Sequence, residues 1–142
     1  MTHRTALLSA AFGLALIGPA FAQSEPPAPP IQQHNCVLKN LDACKAEGSC
    51  APLDNLKGEK LPVKVTVDLE TGIIAGIDAE GWVAATPIAS LARAGDQIIL
   101  QGIDNGVAWQ LLIHEKSELM SFSQASADAA SIGFGSCTAV TP

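Results

Sequence analysis

Val63, Val65, Val67 and Leu69 alternate with Lys64, Thr66, Asp68 and Glu70. A repeat of two sends successive side chains to opposite sides of an extended backbone, so this stretch reads as a strand with one dry and one wet face. A strand of this kind is not stable alone; its dry face must meet others like it. The rest of the chain supplies them. Glu70-Thr71-Gly72 reads as a turn and Ile73 to Ile77 as a second strand. Asp78 to Gly81 turns again into Trp82 to Thr86, ended by Pro87, which has no amide for a ladder. Gln97 to Ile103 and the alternating Val107, Trp109, Leu111 and Ile113 flank Asp104-Asn105-Gly106. Asn-Gly is the strongest hairpin signal in the chain, because both central residues of that turn need positive φ. Leu119 to Gln124 and Ser131 to Val140 follow as two more strands, while Ala89 to Ala94 fits either a helical turn or an irregular connection. The pattern predicts a mainly β fold. It is an antiparallel meander of about six to eight short strands, curled into a small barrel or sandwich to bury its Val/Ile/Leu face.

The segment ahead of the meander divides into three. Arg4 and His3 precede an apolar run from Ala6 to Ile17, which Gly18-Pro19 breaks before Ala20-Phe21-Ala22. That run is about a dozen residues, against roughly 20 needed to span a bilayer. Residues 1–22 therefore read as a signal peptide cleaved after Ala22, which predicts a periplasmic or secreted protein of a Gram-negative bacterium. Residues 23–35 contain SEPPAPP and read as a proline-rich flexible tether. Residues 36–60 form a cysteine-bearing lead. Within it, Asn40 to Gly48 predicts about two turns of helix, Asn40 as N-cap and Gly48 as terminator. So short a helix needs a covalent anchor. Residues 61–142 are the meander, packed with 36–60 as one domain.

Composition excludes several classes. At 48% hydrophobic residues the chain is too apolar for a disordered protein. Its formal charge of −6 opposes nucleic acid as a partner. After the leader, no stretch is long and apolar enough for a membrane helix.

Four cysteines allow three pairings. In the final strand Cys137 shares its face with Gly133, Gly135 and Ala139, whereas Ile132, Phe134 and Val140 occupy the other. A bare face leaves room for a neighbouring segment. The favoured pairing is Cys36–Cys137, with Cys44–Cys50 closing a small loop; Cys44 or Cys50 bonded to Cys137 are the alternatives. There is no C-x-x-C, and the spacings fit no zinc pattern, so the cysteines read as structural staples in an oxidising compartment.

Catalytic signals are sparse. No G-x-S-x-G, no glycine-rich phosphate loop and no P-loop lysine occurs, and the sequence points to no cofactor. His34 lies beside the tether, a poor place for a catalyst. His114 sits at a strand end beside Glu115 and Glu118, on a hairpin and without the second histidine of a zincin. Carboxylates fall at turns. Asp78, Glu80, Asp104, Glu115 and Glu118 are the candidates for gathering a hard cation such as Ca²⁺, since alternate turns of a meander share one end of the sheet. Trp109 has core parity. Trp82, Pro87 and His114 are candidate members of a binding surface, with Ala85 to Ile88 as an exposed loop.

The stretch GDQIILQGIDNGVAWQLLIHEKSELMSFS, with FGSCT near the end, resembles a set of small exported β-meander proteins of alphaproteobacteria. The resemblance covers about half of the chain left after the leader. It implies a periplasmic location and a β fold; those proteins carry no assigned activity to transfer. The expected function is that of a non-enzymatic binding protein of the cell envelope, recognising a protein partner or a small ligand. A carrier of a hard metal ion, and a small hydrolase using His114, are the alternatives.

Overall fold

The computed structural model describes residues 32–77 and 83–141. The leader, most of the tether, Asp78, Glu80 and Trp82 lie outside the described residues. Twelve strands follow in order: β1 (Gln33–Lys45), β2 (Cys50–Leu53), β3 (Asn55–Leu56), β4 (Glu59–Lys60), β5 (Val63–Asp68), β6 (Ile73–Ile77), β7 (Val83–Pro87), β8 (Ser90–Ala94), β9 (Gln97–Asp104), β10 (Val107–His114), β11 (Leu119–Ala125) and β12 (Ala129–Ala139). All pairings are antiparallel. No helix among the described residues is long and apolar enough to cross a membrane.

The main sheet runs β7-β6-β5-β1-β12-β11-β10-β9-β8, with β2 hung on the end of β1 and β3-β4 forming a separate hairpin. It is two meanders, β5–β7 and β8–β12, joined through β1. The lead segment is thus the spine of the sheet rather than an attachment to it. β7 and β8 occupy opposite edges, yet only Ile88 and Ala89 separate them. Three Cα steps reach at most about 11 Å, so the sheet must curl until its edges approach. The link is held on both sides: Ile88 N donates to Gly72 O (2.8 Å) and Ala89 N to Gln101 O (2.9 Å). The result is a curled half-barrel.

Period-two patterning decides which side faces in. Val67, Ile98, Leu100, Leu111, Ile113 and Met120 are buried on the concave face. Complete burial of one such side chain stabilises the fold by roughly 1.5–3 kcal/mol. Cys36 stands directly opposite Cys137 across β1 and β12, and Cys44 opposite Cys50 across β1 and β2; both pairs are disulfide-bonded. β1 runs alongside β12 as its ladder partner. A Cβ on Gly135 would lie 1.9 Å from Val37 O, so only glycine permits that approach.

Several expectations are corrected. Asn40–Gly48 is no helix. β1 runs through Lys45, and Asn40 accepts a hydrogen bond at Oδ1 from Phe134 N (3.0 Å) instead of capping a helix. Two full ladders, to β12 and β2, outweigh two turns of intrinsic helix propensity. The register shifts between Leu38 and Asn40, so Leu38 and Leu41 both point inward although three residues apart. Residues 33–35, assigned to the tether, are already in β1. The described strands number twelve rather than six to eight, because 36–60 contributes four of them. Ser90–Ala94 is a strand, and Ala85 to Pro87 is part of β7 rather than an exposed loop.

Candidate functional site

Between the two meanders the concave face is not filled. A cavity of about 460 Å³ opens there, walled by Val63, Val65 and Ile74 from one side and Leu111, Met120 and Phe122 from the other. The space opens to solvent and falls within the size range of small-molecule pockets. Small residues make it. Gly76 and Ala84 face each other across β6 and β7 and both line the cavity, leaving the wall without bulk.

Trp109 lines the cavity and is 8% exposed. A Cβ on its cross-strand neighbour Gly102 would sit 2.3 Å from the indole ring, so the ring lies directly on the β9 backbone. Its Nε1 has no hydrogen-bond partner among the described residues. Gln124 pairs with Trp109 in register and lines the same cavity.

The β3-β4 hairpin forms the rim, contributing Leu56, Lys57 and Glu59. Lys57 and Gly58 hold φ of 52° and 91° at its tip, the geometry of a two-residue hairpin turn. Leu61 N donates to Asp54 O (2.9 Å) and closes its base. From the tip, Lys57 Nζ reaches across to ion-pair with Asp104 at the end of β9. Thr86 Oγ1 donates to the same carboxylate at 3.5 Å. One charge pair therefore joins hairpin, β7 and β9 over the mouth of the cavity.

The other half of the concave face is packed solid and holds a polar cluster. His34 is 1% exposed on β1, and neither ring nitrogen has a hydrogen-bond partner among the described residues. Its Nε2 lies 3.9 Å from Glu115 Oε1. Arg93 Nη1 donates to both oxygens of Glu115, each at 3.2 Å. Burial pushes the His34 imidazole below its ordinary value; the Glu115 carboxylate opposes this and Arg93 reinforces it. Sequence reasoning set His34 aside as part of the tether. Its parity with Cys36 and Leu38 is the signal that places it inside.

The remaining sequence candidates scatter. Asp104 and Glu115 lie at opposite ends of the β9-β10 ladder, an eight-residue strand apart, or about 26 Å at 3.3 Å per residue. Each faces a basic partner, Lys57 and Arg93 respectively. Glu118 is exposed in the β10–β11 turn at φ 56°. Among the described residues no three His, Cys, Asp or Glu side chains gather as a metal site. His114 points outward between Gln97 and Leu119, and its Nδ1 accepts a hydrogen bond from Ser117 N at 3.3 Å. Pro87 is exposed at the end of β7, opposite Ile73. On the convex face Leu119, Ile132 and Phe134 are 62%, 47% and 52% exposed, an apolar stripe across β11 and β12.

The chain matches no protein-family model and no curated protein. Two disulfides with no free cysteine among the described residues fit an oxidising extracellular or periplasmic compartment.

Proposed function

We propose that this is a non-enzymatic binding protein of the cell envelope that shelters a small apolar molecule inside its half-barrel. The observation that carries the reading is the 460 Å³ cavity, bounded by aliphatic and aromatic side chains where a strand-built core of this size is normally solid. In this reading residues 1–22 direct export and are removed after Ala22, and the proline-rich segment that follows is an extended spacer ahead of the domain. The kinship with exported alphaproteobacterial β-meander proteins belongs to the same proposal. The test uses N-phenyl-1-naphthylamine, an uncharged dye that fluoresces in apolar surroundings. Saturable enhancement at one dye per protein is expected, and Ala84→Phe, which fills the cavity, abolishes it. No enhancement, or enhancement that survives Ala84→Phe, rejects the cavity as the site.

A second reading, recognition of an envelope protein, is favoured by the stripe of Leu119, Ile132 and Phe134. It requires a partner that Phe134→Asp releases and Ala84→Phe leaves bound. A partner indifferent to Phe134→Asp removes this reading.

A further inference from the structure

We propose that the Lys57–Asp104 pair makes the cavity select an uncharged, hydrocarbon-rich ligand and reject amphiphiles of either charge. The inference rests on the cavity being the binding site. Among the described residues, its apolar wall, from Val63 and Val65 to Leu111, Met120 and Phe122, carries no ionisable group. A charged head pushed to that depth would lose its hydration and find no counter-ion. Any charge must therefore stay at the border, where the described lining includes the ionisable residues Lys57, Glu59, Lys64 and Asp104.

The two best placed, Lys57 and Asp104, cancel each other directly. Lys57 is bound to Asp104, whose carboxylate also receives the Thr86 hydroxyl. A ligand carboxylate would have to displace Asp104 from Lys57 and leave that half-buried acid beside it. A ligand ammonium would have to displace Lys57 in turn. Strand parity disposes of Lys64, which alternates with the inward Val63 and Val65 and is exposed on the convex side. Among the described lining residues Glu59 is left, half-buried on the hairpin, with the protein's net charge of −6 behind it. This adds to the rejection of anions and supplies no preformed cage for a cation. Size completes the class. At about 30 Å³ for each small group, the volume a water molecule occupies in the liquid, 460 Å³ admits a body of about 15 heavy atoms.

The experiment displaces bound N-phenyl-1-naphthylamine with three probes of one chain length, 1-dodecanol, dodecanoate and dodecylammonium. It is run at pH 7 and below their aggregation thresholds. Dodecanol is expected to displace the dye at concentrations at least tenfold lower than either ion. In Asp104→Asn, which frees Lys57 from its partner, the ratio of dodecanoate to dodecanol affinity is expected to rise at least threefold. Dodecanoate or dodecylammonium matching dodecanol in the wild type overturns the proposal, as does a ratio unmoved by Asp104→Asn. Failure of the dye itself to bind would instead overturn the cavity reading, and this selectivity with it.

Discussion

One concave face does two different things. Around Cys36, Cys137, Val67, Ile98 and Ile113 it is solid, with each of these side chains at most 1% exposed. Around Val63, Val65, Gly76 and Ala84 it is hollow. The strands are continuous between the halves and alternate in the same way, so patterning does not account for the difference. Side-chain volume does. The solid half sets branched residues and a disulfide against each other, whereas the hollow half sets glycine against alanine and lays Trp109 against Gly102. Tight packing and open space are thereby divided along a single sheet, and the Lys57–Asp104 pair borders the open half.

The division can be broken by mutation. The largest effect is expected from Cys36→Ala with Cys137→Ala, in the solid half. By chain entropy, a bridge spanning 101 residues contributes about 4.7 kcal/mol, and one spanning 6 about 2.4 kcal/mol. Guanidinium unfolding of the two double variants should therefore rank Cys36/Cys137 well above Cys44/Cys50; equal losses would remove the distinction. Ile113→Ala should cost about 2–5 kcal/mol, because the solid half cannot collapse around it. Val65→Ala, which borders space already open, should cost about 1 kcal/mol. Urea midpoints that fail to separate these two would show the halves to be packed alike.

Acidity tests the polar cluster of the solid half. His34 is held neutral by burial, so its folded pKa lies below 6.5 while the unfolded chain titrates at the ordinary value. The unfolded state then takes up the proton first. Stability is complete above pH 6.5 and declines as the pH falls through 6.5 toward the folded value. His34→Leu should flatten that decline in thermal melts between pH 7 and 5.5; an unchanged slope would assign it to other groups. The smallest effect is expected at the rim. Lys57 is 53% exposed, so Lys57→Met should change stability by no more than about 1 kcal/mol. A larger loss would make the hairpin part of the structural core rather than a border of the cavity.

Much of the sheet was legible from residue order. The alternation over Val63–Asp68 marks β5, and Asn105-Gly106, with φ of 49° and 80°, marks the β9–β10 turn. The glycine-lined face of β12 is visible as parity alone. What escaped has physical causes. β1 hides because its bulge resets the parity between Leu38 and Leu41, so Asn40 to Gly48 looks helical in isolation. The β3-β4 turn hides because it places lysine, not asparagine, before its glycine. The cavity hides most completely. An apolar face has the same sequence pattern whether atoms or space lie beyond it, and only the mutual placement of Gly76 and Ala84 across two strands distinguishes them. Residue spacing likewise suggested that carboxylates converge, but register sends Asp104 and Glu115 to opposite ends of one ladder.

The central position of β1 has a consequence for biogenesis. Its neighbour on one side is β5, close behind it in the chain, but on the other side it waits for β12, about a hundred residues later. Until those residues emerge, β1 is a naked edge, open to wrong partners. Pairing β1 with β12 is the most non-local step in closing the sheet, and pairings of that kind form late and slowly.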